Sequence, residues 1–186
     1  MNTSVKAEEA IEEEIRLKSI SEYSLVSDTM LDKFIRVTYR VAYLGHLLVN
    51  YFFRLKTRGA YAALWLDGRI LLIRNSYKSV YTLPCGGIDR GETPVEAARR
   101  ELLEEVALDV PIDKFQPVCQ LVNHTEFKQD HIFLFEVQLK SPPKLTADGR
   151  EVVWLGFRDL KDALAMPLFP PVRDYLLQQQ RIDGEN

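Results

Sequence analysis

The chain has 186 residues, of which 46% are apolar and 27% charged, a mixture typical of one globular domain with an extension. A net charge of −3 gives no general reason to expect a nucleic-acid duplex as partner, although a small phosphorylated substrate depends only on local charge. The two cysteines, Cys85 and Cys119, are too few for a disulfide framework and indicate a reducing, cytoplasmic setting. Residues 1–14 lack the order of a signal peptide, and the uncharged residues 41–53 are too few to span a bilayer.

Two charge blocks occupy the first third of the chain, and both predict helix. Residues 8–28 carry seven acidic and two basic side chains, whereas residues 33–58 carry six basic ones and no acid. Apolar residues cover most of the circumference of the second helix, which predicts that it is buried against another surface. We therefore divide the chain into a helical extension, residues 1–57, and a domain, residues 58–182.

Three interpretations of the basic, aromatic second helix are open. In the preferred one it docks on the domain as an extra layer or as the arm of a homodimer. In another it reaches over the substrate as a lid. A helix rich in Lys, Arg, Tyr, Phe and Leu is also the kind of element that makes a peripheral contact with an anionic membrane surface.

Strand and helix patterns alternate through the rest of the chain, which predicts an α/β layered domain with a mixed sheet. The clearest pair is a β-hairpin joined by Asp67-Gly68, a dipeptide typical of tight two-residue turns. The strands are predicted at 60–66, 69–74, 118–122, 132–139 and 152–155, and the helices of the domain at 94–106 and 171–179.

The start of the helix at 94–106 is marked by its own residues, after a loop rich in glycine and proline at 83–87. Thr93 suits the N-cap, Pro94 the first helical position and Glu96 the third place of a capping box. Because the start is defined, each later residue can be assigned to a face of the helix.

Glu101, Glu104 and Glu105 stand at i, i+3 and i+4 of this helix, so their carboxylates crowd one face within roughly 5–6 Å at Cβ. Like charges at this spacing destabilise a helix, and an ordered helix therefore needs a cation to offset them. Carboxylate oxygens are hard ligands, and this face carries no histidine or cysteine, which favours Mg²⁺ or Mn²⁺ over zinc. Taken alone, three glutamates favour a solvated acidic face.

The surrounding pattern decides between these two interpretations. Gly86, Glu92, Arg100-Glu101-Leu102, Glu104-Glu105 and Leu108 stand at the spacings of the pattern Gly-x5-Glu-x7-Arg-Glu-U-x-Glu-Glu-x-Gly-U, in which U is aliphatic. Residues 86–108 therefore resemble the Nudix box, and a looser resemblance extends over residues 59–179. The resemblance implies a Nudix-type α/β/α sandwich with a mixed sheet, preceded here by the helical extension. It also implies a hydrolase that uses a divalent metal to cleave a pyrophosphate bond.

By position, the resemblance implies that Glu101, Glu104 and Glu105 bind Mg²⁺ or Mn²⁺, with the backbone carbonyl of Cys85 as a further ligand. The implied reaction is attack of a metal-activated water on a phosphorus of the pyrophosphate. Glu101 and Glu105 are the implied catalytic carboxylates, and Glu101 is our candidate for the group that helps to deprotonate the water. We interpret the Cys85 side chain as a packed small residue and not as a reactive thiol.

Arg100 and Glu92, which complete the implied catalytic set, match the pair that ties the loop to the helix. The backbone of Gly86 and Gly87 is implied to face the substrate phosphates. One position departs from the pattern, because Ala107 replaces the glycine after the helix, where a left-handed residue is common. The change touches geometry and not charge, so we expect activity to be retained.

Other candidates lie outside the box. In this family the base can come from a later loop, and Glu126, Asp130 or Glu151 can supply such a base or a further metal ligand. The remaining candidates for substrate binding are Arg74, Lys78 and Tyr81.

The resemblance names the reaction type and leaves the substrate open among nucleotides, nucleotide sugars and ADP-ribose-like nucleoside diphosphates. The alternative function is a Nudix-fold module that senses a nucleotide, or regulates, without turnover. Such modules usually lose one or more carboxylates of the box, and this chain keeps all of them.

Overall fold

The computed structural model describes residues 29–147 and 149–184, so the helix predicted at residues 8–28 lies outside the described residues. A mixed sheet lies between helices on its two faces, which confirms the predicted α/β/α sandwich with a helix before it. The helices are α1 (Met30–Phe53), α2 (Pro94–Val106), α3 (Leu160–Ala165) and α4 (Pro170–Gly184), with a 3₁₀ turn at Ile112–Lys114. The strands are β1 (Lys56–Leu66), β2 (Arg69–Asn75), β3 (Cys85–Gly87), β4 (Gln116–Asn123), β5 (Gln129–Leu139) and β6 (Val152–Asp159).

The strand order across the sheet is β4-β5-β1-β2-β6. β1 and β5 run parallel along their whole length, and the other pairs are antiparallel. The last residues of β1 pair with β2, at Leu66 with Arg69, whereas its first half pairs with β3, at Ala60 with Gly86. The sheet is therefore split along β1, and the segment before α2 enters at this split.

Alternation along β1 builds two apolar layers, one on each face of the sheet. Its even-numbered side chains pack in the layer that contains α2, and its odd-numbered side chains pack in the layer that contains α3 and α4. The first set is Ala60, Ala62, Leu64 and Leu66, and the second is Tyr61, Ala63 and Trp65. α2 joins its layer through Ala97, Ala98, Leu102 and Val106.

Both ends of α2 agree with the prediction. The Thr93 side chain accepts a hydrogen bond from the Glu96 amide, and the Glu96 carboxylate accepts one from the Thr93 amide at 2.8 Å, which closes the capping box. After the last turn, Ala107 adopts a left-handed conformation with φ 56° and ψ 33°. Its amide donates to the Leu103 carbonyl at 3.0 Å, so alanine holds a geometry that glycine usually supplies.

Three features differ from the prediction, each for a local reason. The basic block does not stay helical to residue 58: α1 ends at Phe53, Arg54 is left-handed with φ 46°, and Lys56 begins to pair with β5. The loop at 83–87 contains the short strand β3, because its backbone pairs with β1. The six-residue α3 is too short to show a periodic pattern in the sequence.

α1 meets the domain through a mixed face in which half-buried Tyr39 and Tyr43 pack on Tyr77, and most of its apolar surface is exposed, so the prediction that this surface is buried is wrong. The buried residues of this helix are Asp32 and Asn50. Arg40 donates to the Ser76 carbonyl at 3.2 Å, which shows that loop carbonyls of the domain receive its basic side chains. Within the described residues, every helix is too short or too polar to cross a lipid bilayer.

We expect Ala107→Gly to raise the free energy of unfolding by about 0.5–1 kcal/mol. Glycine relieves a left-handed strain of about 1–2 kcal/mol, and its backbone entropy offsets part of that relief. The matched control is Ala42→Gly, an exposed position inside α1 where the same substitution costs about 1 kcal/mol. Urea unfolding measures both differences, and a loss of stability in Ala107→Gly contradicts the expectation.

Candidate active site

The carboxylate of Glu105 is buried near the end of α2, between β3 and the end of β2. Its Oε2 accepts a hydrogen bond from the Cys85 amide at 2.8 Å, and its Oε1 accepts one from the Asn75 side chain at 3.4 Å. Burial raises the pKa of Glu105 well above its ordinary value, although the Cys85 hydrogen bond acts to lower it. A buried carboxylate in this setting favours a cation beside it.

Glu101 lies one turn earlier on α2, and its carboxylate rests against the backbone of Gly86. A Cβ atom built on Gly86 would overlap both oxygens of that carboxylate, so this close approach requires glycine. Burial also raises the pKa of Glu101, although the neighbouring Arg100 acts to lower it. The glycine therefore sets how closely β3 approaches the helix.

The structure brings the predicted pair of Arg100 and Glu92 together. Arg100 Nε and Nη2 donate to the two oxygens of Glu92, each at 3.0 Å, and Nη2 also donates to the Gly87 carbonyl at 2.8 Å. The hydrogen bonds from Arg100 hold the pKa of the Glu92 carboxyl below its usual range. The segment between β3 and α2 is thus tied to the helix at both of its ends.

Four glutamates surround a small cavity of about 50 Å³ beside α2. They are Glu101, Glu104 and Glu105 of α2, together with Glu151, which directly precedes β6. Glu151 accepts a hydrogen bond from the Tyr77 hydroxyl at 3.1 Å. Of the three candidates from later in the chain, Glu151 is therefore placed with the glutamates of the box.

Arg100 occupies two of these carboxylates. Its Nη1 donates to Glu101 Oε1 at 2.6 Å and to Glu104 Oε2 at 3.3 Å. In residues 29–147 and 149–184, no group of three or more His, Cys, Asp or Glu side chains is close enough to hold a metal ion as the side chains stand. The donors still fit a hard divalent ion in kind, and the Glu104 side chain is 58% exposed and has room to turn.

A second cavity, of about 290 Å³, carries positive charge on its walls. Its lining includes His46, Arg58, Lys78 and Lys128. Gly86 lines this cavity, and its other side lies against the Glu101 carboxylate, so the β3 backbone at Gly86 separates the two cavities. A basic wall beside a group of carboxylates is an arrangement that attracts phosphate on one side and a divalent cation on the other.

α1 forms part of the wall of the larger cavity. Its His46 lines the cavity, and the ring of its Tyr43 packs on the Tyr77 ring with centroids 5.2 Å apart. The Tyr43 hydroxyl donates to Glu126 at 2.9 Å, and Lys78 pairs with the same carboxylate at 3.0 Å. Of the three interpretations of this helix, the structure shows docking on the domain. The docked helix also borders the larger cavity, in the place that a lid would occupy.

Glu126 and Asp130, the other two candidates for a base, are engaged by lysines. Lys128 lies 4.0 Å from Glu126 and 3.3 Å from Asp130, and Thr57 donates to Asp130 at 2.8 Å. Burial acts to raise the pKa of Glu126, but Lys78 beside it reverses the effect and holds that pKa below its usual range. Both carboxylates therefore lie on the basic side of the site.

Of the other substrate-binding candidates, Lys78, Gly86 and Gly87 line the larger cavity. Arg74 and Tyr81 lie apart from the larger cavity and contact each other. The Arg74 guanidinium packs over the Tyr81 ring, 5.6 Å from its centroid. Neither of them is among the described residues that line the cavity.

Sequence reasoning did not find Asn75, which joins Glu105 to the Tyr77 hydroxyl through its side-chain amide. The signal was a polar residue at the end of the apolar strand β2, next to the segment that leads to the box. Burial raises the pKa of the Cys85 thiol to about 12, which agrees with a packed side chain. The proposed role of the Cys85 carbonyl as a ligand stays a prediction.

Comparison with known proteins places the chain in one family. The model of the NUDIX domain matches residues 55–179, about two thirds of the chain. The chain belongs to the Nudix family. An RNA pyrophosphohydrolase of Halorhodospira halophila is 48% identical over 42 residues, which cover 23% of this chain and 23% of that protein. The matched part thus spans about a quarter of the length of that curated relative.

Solved structures share the Nudix fold. The MutT protein of Methanosarcina mazei Go1 has a TM-score of 0.62 at 19% identity, over 70% of this chain and 97% of its own. The Nudix domain of Shewanella oneidensis NrtR, complexed with ADP ribose, has a TM-score of 0.59 at 21% identity, over 74% of this chain and 96% of its own. At these identities the likeness shows the fold alone.

Glu105→Gln is expected to keep or raise the thermal stability of the Nudix domain in the presence of a chelator. The amide oxygen still accepts the Cys85 hydrogen bond, and the substitution removes a buried charge. Because the folded-state pKa of Glu105 is raised, its ionisation destabilises the fold as the pH rises through that pKa. The advantage of glutamine should therefore be larger at about pH 7 than at about pH 4. Thermal unfolding at the two pH values measures it, and a marked loss of stability at neutral pH contradicts it.

Proposed function

We propose that this Nudix domain is a pyrophosphohydrolase that requires Mg²⁺ or Mn²⁺ and cleaves the pyrophosphate bond of a nucleoside diphosphate joined to another moiety. The observation that carries the proposal is the position of two cavities on either side of Gly86, one lined by four glutamates and one by basic side chains. A pyrophosphate that spans this point has its negative oxygens beside the basic wall and its reacting phosphorus beside the carboxylates. The named RNA pyrophosphohydrolases that share part of the sequence support the same class of reaction.

The larger cavity suits the phosphate end of such a substrate. Lys78 and Lys128 flank the carboxylate of Glu126, which fixes their positions at the wall. Small-molecule sites are roughly 300–1,000 Å³, and this cavity, at about 290 Å³, is at the lower end of that range. It accommodates a pyrophosphate with one attached group.

Hydrolysis forms a bond from a water oxygen to one phosphorus and breaks the bond from that phosphorus to the bridging oxygen. The proton of the water passes to a carboxylate, and our candidate is Glu101, whose raised pKa makes it a better proton acceptor. Glu105 is held in place by the Cys85 amide, and Glu151 by the Tyr77 hydroxyl. The basic wall stabilises the charge that builds up on the leaving phosphate.

The glutamates of the box fit a divalent cation by donor type and by position. Glu101, Glu104 and Glu105 would hold Mg²⁺ or Mn²⁺, which when bound lowers the pKa of water and neutralises phosphate charge. Arg100 would give up Glu101 and keep its paired hydrogen bonds to Glu92. The loop would therefore stay in place while the carboxylates turn to the ion.

The test of the proposal is release of phosphate or pyrophosphate from a panel of nucleotides, with Mg²⁺, with Mn²⁺ and with EDTA. The panel holds nucleoside triphosphates, ADP-ribose, nucleotide sugars, dinucleoside polyphosphates and NADH. We expect turnover of one class with metal and none with EDTA. Turnover that survives EDTA contradicts the metal requirement, and silence across the panel favours a module that senses a nucleotide without cleaving it.

Gly86→Ala should lower kcat by roughly 100-fold on whichever substrate the panel identifies, since a shift of about 1 Å at a reacting group can cost that much. The added Cβ displaces the Glu101 carboxylate. Gly45→Ala is the matched control, because Gly45 lies in α1 outside the lining of both cavities and a Cβ on it meets no atom of the described residues within 4 Å. Steady-state rates are compared after thermal unfolding has shown that both variants fold. Equal rates in the two variants would sink the assignment of Glu101.

A further inference from the structure

α1 leaves most of its apolar surface uncovered by the domain. Its face toward the domain is mixed: Asp32 pairs with Arg150 at 2.9 Å and Arg36 donates to the Gly149 carbonyl at 2.9 Å, while the half-buried Tyr43 ring packs on the Tyr77 ring. The apolar side of the helix faces away from the domain and is exposed. A large apolar surface that is directed away from the core indicates a binding surface.

The exposed apolar surface covers more than half of the helix. Phe34, Val41 and Leu48 lie along its centre and are 69%, 64% and 61% exposed. At roughly 100° per residue, the surface extends over about 200° of the circumference, from Tyr51 to Phe53. A partner helix covers a narrower seam, about two positions in seven. The width therefore suits a lipid phase better than a single helix.

The loop between β4 and β5 extends the same apolar surface. Phe127 in this loop is 58% exposed and has a left-handed φ of 58°. Its ring meets the Tyr51 ring edge-on, with centroids 5.3 Å apart. With Leu44, Leu47 and Leu48, the two rings line an apolar cleft of about 490 Å³ that offers room for part of an acyl chain.

The described residues of α1 beside this surface carry basic charge. Arg40 and Arg54 lie along one border of it, and residues 33–58 contain no acid. In an antiparallel pair of α1 helices from two copies of the chain, the basic border of one helix would lie against the basic border of the other. In a parallel pair, the basic border would lie against uncharged positions such as Thr38. Self-pairing of α1 thus supplies no opposite charge, whereas an anionic lipid surface does.

We infer that the outer face of α1, together with the Phe127 loop, binds the surface of an anionic bilayer, with the helix lying in the plane of the interface. The inner face of the same helix borders the larger cavity through His46. Membrane contact would therefore hold the domain with one wall of its substrate cavity at the lipid surface. This inference does not depend on which substrate the site cleaves.

The experiment is flotation of the full chain with two kinds of vesicle, one of phosphatidylcholine and one of phosphatidylcholine and phosphatidylglycerol in equal parts. We expect the protein to float with the anionic vesicles and to bind them less well as salt is added. We expect little binding to phosphatidylcholine alone. The full chain is used, so that the acidic residues 8–28 are present.

Val41→Asp combined with Leu48→Asp should weaken binding to the anionic vesicles by roughly tenfold or more per position, since each substitution removes a buried apolar group. Ile112→Asp is the matched control, because Ile112 is an exposed apolar residue of the 3₁₀ turn outside α1. Thermal unfolding of each variant shows that the fold is kept. The control should bind as the unchanged protein does.

Failure of the full chain to float with anionic vesicles at low salt overturns the inference. Equal binding of the double variant and the unchanged protein overturns it too. A dimer in analytical ultracentrifugation that the double variant abolishes, without vesicle binding, would assign the surface to a second copy of the chain. Loss of hydrolysis alone touches the proposed function and leaves this inference unaffected.

Discussion

Glu105 stands with its carboxylate out of water on a helix that already carries Glu101 and Glu104 on the same face, and much of the site is arranged around this concentration of charge. The Cys85 amide holds Glu105. Arg100 neutralises part of the charge by pairing with Glu101 and Glu104. The carboxylates that repel one another are thus kept in place by the segment between β3 and α2, which explains why glycine, arginine and glutamate recur there at fixed spacings.

The same segment connects this charge to the basic cavity. Gly86 lies between the carboxylates and the basic cavity. Its backbone pairs with β1, one side of it touches the Glu101 carboxylate, and its other side lines the larger cavity. α1 adds Tyr43 and His46 to the wall from outside the matched domain. The helix therefore has two different faces, one that borders the larger cavity and one that remains apolar and exposed.

Local patterns in the sequence predicted α2, the hairpin and the positions of five strands along the chain, because each depends on short-range chemistry such as the Thr93 cap or the Asp67-Gly68 turn. The left-handed geometry expected at position 107 is confirmed for the same reason. The orientation of α1 was not predictable. The hydrophobic pattern of the helix indicates that it has an apolar face, but it does not indicate which face packs on the domain. Asn75, and the choice of Glu151 among the three later carboxylates, depend on the pairing of β2 with β6, a long-range contact that leaves no mark on the spacing of residues.

In the proposed metal site, a divalent ion takes the place of the Arg100 guanidinium among the glutamates of α2. Crystals of the protein soaked in Mn²⁺ test it most directly, because manganese gives an anomalous signal that locates the ion. We expect an anomalous peak in the cavity between Glu101, Glu104 and Glu105. The Arg100 guanidinium should have moved off Glu101 and should still pair with Glu92. A cavity without a peak, with Arg100 still on Glu101, would contradict it.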